Sequence, residues 1–199
     1  MPKDPFETRE RLLDTAERFM AEQGPEGVSM REISARAGQA NNNAAQYHFG
    51  SREGIIEAVL DRRMRPIDGR RAEMIAGLEP NATLTALIRA VVVPLAEASQ
   101  RHPYYIGFFA QLYTSRRYGH LVTHERTRTS SFQDVRDLID ARVEHLSAAT
   151  KSERRWLCAT LIVHAIAEYV AAPGAQPYEQ WSDLIDGVVD ACVHVLDSP

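Results

Sequence analysis

Apolar residues recur at three- and four-residue spacing along this chain, and the recurrence predicts helices. Leu12, Leu13, Ala16, Phe19 and Met20 mark one over residues 8–23, closed by Gly24-Pro25. Pro2 and Pro5 oppose helix, so residues 1–6 are expected to form a loose arm, with Lys3 its cation. Ser29 and Glu32 make a Ser-x-x-Glu capping box, which predicts a helix from Ser29 with Val28, Ile33 and Ala37 on its apolar face. Gly38 follows, where a left-handed residue closes a helix most easily. A second short helix is expected from near Asn42 through Ala44, Ala45 and Tyr47, ended by Gly50. Ser51 is then the N-cap of a third, with Glu53 well placed for that helix's dipole. Two helices of about eight residues bury too little apolar surface to stand alone. They need the helix before them and the one after.

The later segments are also helical in pattern. Residues 51–77 carry Ile55, Ile56, Val59 and Leu60, then a basic run of Arg62, Arg63 and Arg65, read as a solvated face, with a DNA-backbone or ligand-carboxylate contact as the alternative. Pro66 is expected to kink this helix by removing a backbone donor. Residues 83–101 form the next helix, and 102–117 another, started by Pro103 and dense in Tyr104, Tyr105, Phe108, Phe109 and Tyr113. Residues 118–123 are predicted as a loop. A helix over 125–146 carries Phe132, Val135, Leu138 and Ile139. Thr150 and Glu153 form a second capping box. The helix they start runs to residue 172 and from Trp156 on is apolar almost all round, which calls for burial on nearly every side. The last helix is expected over 177–196.

The segment Tyr47-His48-Phe49-Gly50-Ser51-Arg52-Glu53, preceded by the Ser29 box and Ala37-Gly38, resembles the helix-turn-helix of the tetracycline-repressor-like (TetR) family. The resemblance is sharp over residues 9–60 and architectural beyond. One departure is that the Gly38-to-Tyr47 spacing exceeds the family's usual one, so the turn or the head of the second helix holds an extra residue. The resemblance implies an all-α fold: an N-terminal three-helix helix-turn-helix domain, then a helical ligand-binding and dimerisation domain, about nine helices together. The expected division is 1–51 for DNA binding and 52–199 for ligand binding and dimerisation, with one helix crossing it. It also implies a homodimer, paired through the last two helices, on a near-palindromic double-stranded DNA operator, answering to a small-molecule effector of unknown identity.

Charge gives this reading no help. The net charge over 199 residues is −4, and residues 1–71 hold twelve Lys/Arg against twelve Asp/Glu. Positive charge need only be local, however. Lys3, Arg31 and Arg52 are the cations expected to face DNA. No apolar run is long enough to span a bilayer, and no charged-then-apolar leader opens the chain, so a soluble cytoplasmic protein without membrane contact is expected. Cys158 and Cys192 each lie in an apolar helical run and are read as reduced, buried small hydrophobes.

Side-chain amides match the N6/N7 edge of adenine in the major groove, which makes Asn41, Asn42, Asn43 and Gln46 candidate base readers. Asparagine also caps helices and builds turns, so at least one of the four is expected to do that instead. By the family resemblance the ring edges of Tyr47 and His48 bind phosphate. Phe49 is read as a buried staple. Backbone amides at the helix starts Ser29 and Ser51 are further phosphate donors. The aromatic helix supplies Tyr105, Phe108, Phe109, Leu112 and Tyr113 as a candidate ligand wall, joined by Phe132; plain aromatic core is the alternative. Thr160, His164 and Glu168 form one polar line four residues apart, either a pocket anchor or a structural line at the subunit interface.

No cofactor or metal is expected: the His120/His124 pair has helical metal spacing, but no suitable third ligand is near. An enzyme using His164 and Glu168 as acid and base lacks an accompanying nucleophile or phosphate loop. A dimeric small-molecule-binding protein without specific DNA contact is the other alternative.

Overall fold

A computed structural model of the chain describes residues 4–123, 130–172 and 178–198. These residues form ten helices and no strands: α1 Pro5–Gln23, α2 Met30–Arg36, α3 Ala44–Phe49, α4 Arg52–Ala76, α5 Leu84–Arg101, α6 Pro103–Thr114, α7 Gly119–Thr123, α8 Ser130–Arg142, α9 Ala148–Ala171 and α10 Trp181–Asp197. The all-α expectation holds. The tenth helix is α7, where a loop was expected; it follows the buried Tyr118, and its own Leu121 and Val122 are buried. None of the helices among the described residues is long and apolar enough to cross a membrane.

Several boundaries move for local reasons. Helix α1 begins at Pro5 rather than after Phe6. Asp4 caps it by accepting from the Phe6 N–H at 2.9 Å, and proline is well suited to the first turn, where its missing donor is no loss. Helix α9 begins at Ala148, because Ser147 rather than Thr150 is its cap and accepts from the Thr150 N–H at 3.1 Å. The expected helix start at Glu125, along with Lys3 and His124, lies outside the described residues.

The chain divides into two compact units, Met1–Met64 with Tyr104–Thr127, and Arg65–Pro103 with Arg128–Pro199. The first packing unit thus extends past the expected functional boundary at 51/52 and takes in α6 and α7. In it α1, α2 and α3 pack on one another, and Leu12, Leu13, Ala16, Met20, Val28, Ile33 and Ala45 are fully buried. In the second unit α10 packs on α5 and α9, and α5 also meets α8. Leu184, Ile185, Val188, Val189, Cys192 and Leu196 give α10 one buried stripe at helical spacing. Arg142 closes the α4–α5 turn by donating to the carbonyls of Ala82 at 2.9 Å and Pro80 at 3.1 Å. Burial of α9 is less complete than its composition called for: Cys158, Ile162, Val163 and Ile166 are covered, while Trp156 is 60% and Leu157 43% exposed.

Candidate nucleic-acid interface

The α2–turn–α3 unit is assembled by local hydrogen bonds. Ser29 Oγ accepts the Glu32 N–H at 3.1 Å, as the capping box requires, while the Glu32 carboxylate turns along the helix to Arg36 at 2.7 Å. At the other end Gly38 takes φ 66°, its N–H reaching the Ala35 carbonyl and the Gln39 N–H reaching Ser34. These two bonds make a Schellman closure, which satisfies the last carbonyls of α2 and turns the chain. Asn41 Oδ1 then accepts the Asn43 N–H at 2.9 Å, an Asx turn that delays the helix to Ala44. Asn43 is the N-cap by position, without a side-chain bond.

Ser34 holds the unit together. Its fully buried hydroxyl donates to the Met30 carbonyl at 3.0 Å and accepts the Ala45 N–H at 2.9 Å. That bond ties the first turn of α3 to the middle of α2. Sequence reasoning passed over Ser34. The one available signal was a small polar residue at an otherwise apolar helix position.

With Ala44 and Ala45 buried, α3 turns its other side outward. Gln46 and Tyr47 are exposed, Tyr47 by 84%, and the Tyr47 and His48 rings meet edge-on at 5.3 Å. Asn42 and, on α2, Arg31 are exposed, and neither side chain bonds to another described residue. Gln46 Nε2 donates to the Gly50 carbonyl, so one amide hydrogen is engaged within the helix end. Phe49 is half-buried rather than buried, with the Arg9 guanidinium 5.1 Å above its ring. Ser51 Oγ caps α4 through the Gly54 N–H at 3.0 Å. Arg52 is half-buried and donates to the Tyr118 hydroxyl at 3.4 Å.

In the basic run of α4 Arg65 is exposed as expected, but Arg62 and Arg63 are not on a solvated face. Arg62 reaches Asp14 at 2.9 Å and Glu10 at 3.0 Å, and both Arg62 and Arg63 donate to Glu17 at 2.9 Å. The Glu17 side chain is only 4% exposed. Burial works against the Arg62 charge, but the Glu10 hydrogen bond and the charges of Asp14 and Glu17 hold its pKa above the ordinary value. Three carboxylates of α1 are therefore spent on α4. Charge counting treated them as a burden on DNA binding.

The candidate ligand residues fall in both units. Tyr105, Phe108 and Leu112 are buried in the first, with Phe109 and Tyr113 half-buried. The Tyr105 ring lies 6.5 Å from that of Phe108 and 6.0 Å from that of Phe109, and its hydroxyl donates to Met64 Sδ at 2.9 Å. In the second unit Phe132, Thr160 and His164 are half-buried and Glu168 is exposed. Thr160 Oγ1 donates to the Trp156 carbonyl at 2.9 Å. The same unit holds a charged group that the sequence did not flag. Buried Arg71 lies 3.8 Å from Asp68, 3.4 Å from Ser131 Oγ and 5.3 Å from the Phe132 ring. Among the described residues no three His, Cys, Asp or Glu side chains are grouped to hold a metal ion.

Residues 12–59, which span this helix-turn-helix and its bracing helices, match the sequence profile of the bacterial regulatory proteins, tetR family. The helix-turn-helix region of the chain is therefore similar to that of the tetR family. Among its relatives is an uncharacterized helix-turn-helix transcriptional regulator from the dhlA 5′ region of Xanthobacter autotrophicus, 26% identical over 192 residues, or 94% of this chain and 87% of the relative. The helix-turn-helix transcriptional repressor Rv3405c of Mycobacterium tuberculosis is 36% identical over 61 residues, 31% of this chain and 32% of that one. A solved structure of a putative tetR family regulator from Shewanella sp. PV-4 is similar in fold, with TM-score 0.67 and 18% identity over 92% of this chain and 97% of that one. A transcriptional regulator from Rhodococcus sp. Rha1 gives TM-score 0.58 and 23% identity over 96% and 98% of the two chains. The matched helix-turn-helix and these relatives support a DNA-binding transcriptional regulator.

Proposed function

We propose that this regulator is a ligand-responsive repressor, acting as a cytoplasmic homodimer on a near-palindromic operator. The observation that carries it is the outward side of α3. Tyr47 stands exposed on α3 and Asn42 in the turn before it, and the inner side of α3 is locked to α2 through Ser34. A recognition helix must present rigid polar groups to base edges, and the exposure of these residues supports that reading. Within the candidate set, Asn42 is the leading base reader, with Gln46 and Asn43 beside it. Asn41 serves the turn. Arg31, Tyr47, His48 and Lys3 take phosphates, as do the backbone amides at Ser29 and Ser51. Arg52 acts through its bond to Tyr118.

On this reading residues 1–51 bind DNA, and 52–199 bind the effector and dimerise through α9 and α10. Exposed Trp156 and Leu157 on α9 support such pairing, since a second apolar surface would cover them. Effector and DNA favour different spacings of the two heads, so each weakens the other's binding, typically by about 1–3 kcal/mol. The body binds its ligand without turning it over.

The deciding experiment is an anisotropy titration of the full chain on DNA upstream of its own gene, with scrambled DNA as competitor. Specific binding that Asn42→Ala weakens supports the proposal. Equal affinity for both DNAs favours the alternative, a dimeric small-molecule-binding protein without specific DNA contact. The balanced charge of residues 1–71 and the long Gly38-to-Tyr47 spacing are the observations on that side.

A further inference from the structure

Cys158 on α9 and Cys192 on α10 are free thiols buried in the same helix seam. The Cys158 thiol donates toward the Cys192 carbonyl at 3.7 Å, and the Cys192 thiol toward the Cys158 carbonyl at 4.0 Å. Reciprocal contacts of this kind require the two residues to face each other directly. A thiol reaches its partner's own backbone in both directions only where the two Cα atoms lie within side-chain reach. A disulfide needs the two Cα atoms about 4.4–6.8 Å apart. Both cysteines sit inside long regular helices, so neither has to leave a loop to find the other.

We propose that Cys158 and Cys192 form a reversible intramolecular disulfide site whose co-substrate is a hydroperoxide. The two thiols are not equivalent. Cys158 keeps 5% of its surface accessible, while Cys192 keeps none. The interaction of the two neighbouring thiols holds Cys158 below the ordinary thiol range, and that interaction together with burial pushes Cys192 above it. Cys158, the one of the two with accessible surface, is the attacking sulfur and Cys192 the resolving one.

In the first step the Cys158 thiolate attacks one peroxide oxygen. The O–O bond breaks, the leaving oxygen departs as water or an alcohol after taking up a proton, and Cys158 becomes a sulfenic acid. In the second, the Cys192 sulfur attacks the Cys158 sulfur, the S–O bond breaks, and the hydroxyl leaves as water with the Cys192 proton. Two electrons pass from the sulfurs to the peroxide, and a small-molecule thiol in excess returns them by exchange. The product ties α9 to α10 across a span of 34 residues. The site stands independently of the DNA-binding proposal.

The test uses the folded full-length protein, freed of reductant and exposed to hydrogen peroxide at a small molar excess. It is then denatured, alkylated, and analysed by intact mass and peptide mapping, with circular dichroism before denaturation to show that the fold is kept. The expected result is joint loss of both alkylatable thiols, no added oxygen, and one peptide pair joined through residues 158 and 192, reversed by dithiothreitol. Cys192→Ser should stop at a sulfenic acid trapped by dimedone on Cys158, and Cys158→Ser should stay unmodified. Retention of both thiols in the wild type would overturn the proposal, as would sulfinic or sulfonic products without a cross-link, or a bridge between two chains. The wild-type map decides the matter even if a variant fails to fold.

Discussion

Ser34 Oγ accepts the Ala45 N–H at 2.9 Å across the turn of the helix-turn-helix, eleven residues along the chain. The bond is buried, and it sets where the recognition helix leaves its brace. Tyr47 and Asn42 are displayed as they are because Ala45 is pinned.

Replacing Ser34 with Ala leaves the Ala45 N–H buried and unpaired. The cost is about 1–3 kcal/mol. In a chain of this size that lowers the thermal midpoint by roughly 2–4 °C per kcal/mol. Thermal melting by circular dichroism checks it. A Ser34→Ala midpoint equal to wild type would show that water or a shifted backbone replaces the bond. Operator affinity should fall further than stability alone explains, because α3 loses its anchor.

Gly38 has φ 66°, yet a Cβ there would meet nothing within 4 Å. The penalty for Gly38→Ala is therefore conformational rather than steric, about 1–2 kcal/mol. Asparagine tolerates the left-handed region better, so Gly38→Asn should lose less. Urea midpoints of the three proteins should rank glycine, asparagine, alanine. A ranking with alanine above asparagine would count against the Schellman closure.

Glu17 is the shared acceptor of Arg62 and Arg63, with a side chain only 4% exposed. Removing one partner of a buried pair typically costs about 3–5 kcal/mol. Arg62 keeps Glu10 and Asp14, so Glu17→Ala should fall at or below the lower end of that range. The exposed pair Arg89–Asp186, with side chains 43% and 57% accessible, is the contrast; Arg89→Ala should cost less than about 1 kcal/mol. Denaturant unfolding of both variants separates the two. Equal losses would refute the assignment of the α1–α4 contact as the stronger tie.

Asn42→Ala should weaken operator binding by about 1–3 kcal/mol and relax preference at one base pair. Arg31→Ala should weaken binding on every sequence alike and reduce the salt slope by about one. Asn41→Ala should act mainly through stability, since its oxygen holds the Asn43 N–H. Titrations on operator and single-mismatch DNAs at several salt concentrations distinguish the three. An Asn42→Ala protein with unchanged base preference would move the reading role to Gln46 or Asn43.

Local rules were legible in the one-dimensional pattern. A helix satisfies its backbone within a few residues, so its apolar period, the Ser29 cap, and the closing glycines 38 and 50 all leave marks in the sequence. The same marks located the helix-turn-helix. Errors arose where two local rules competed. Pro5 opposes a helix interior but suits a helix start, and Thr150 forms a capping box that Ser147 pre-empts.

What the sequence could not carry was distance between residues far apart along it. Arg62 and Arg63 looked like a solvated run until Glu10, Asp14 and Glu17 were found against them. Arg52 looked like a phosphate contact and bonds to Tyr118, while Ser34 looked unremarkable and holds Ala45. Cys158 and Cys192 looked like separate small hydrophobes and face each other. The sequence alone determined an all-helical chain with a DNA-reading head. Tertiary packing decided which charges, hydroxyls and thiols meet, because only folding brings distant positions within the few ångströms over which these groups interact.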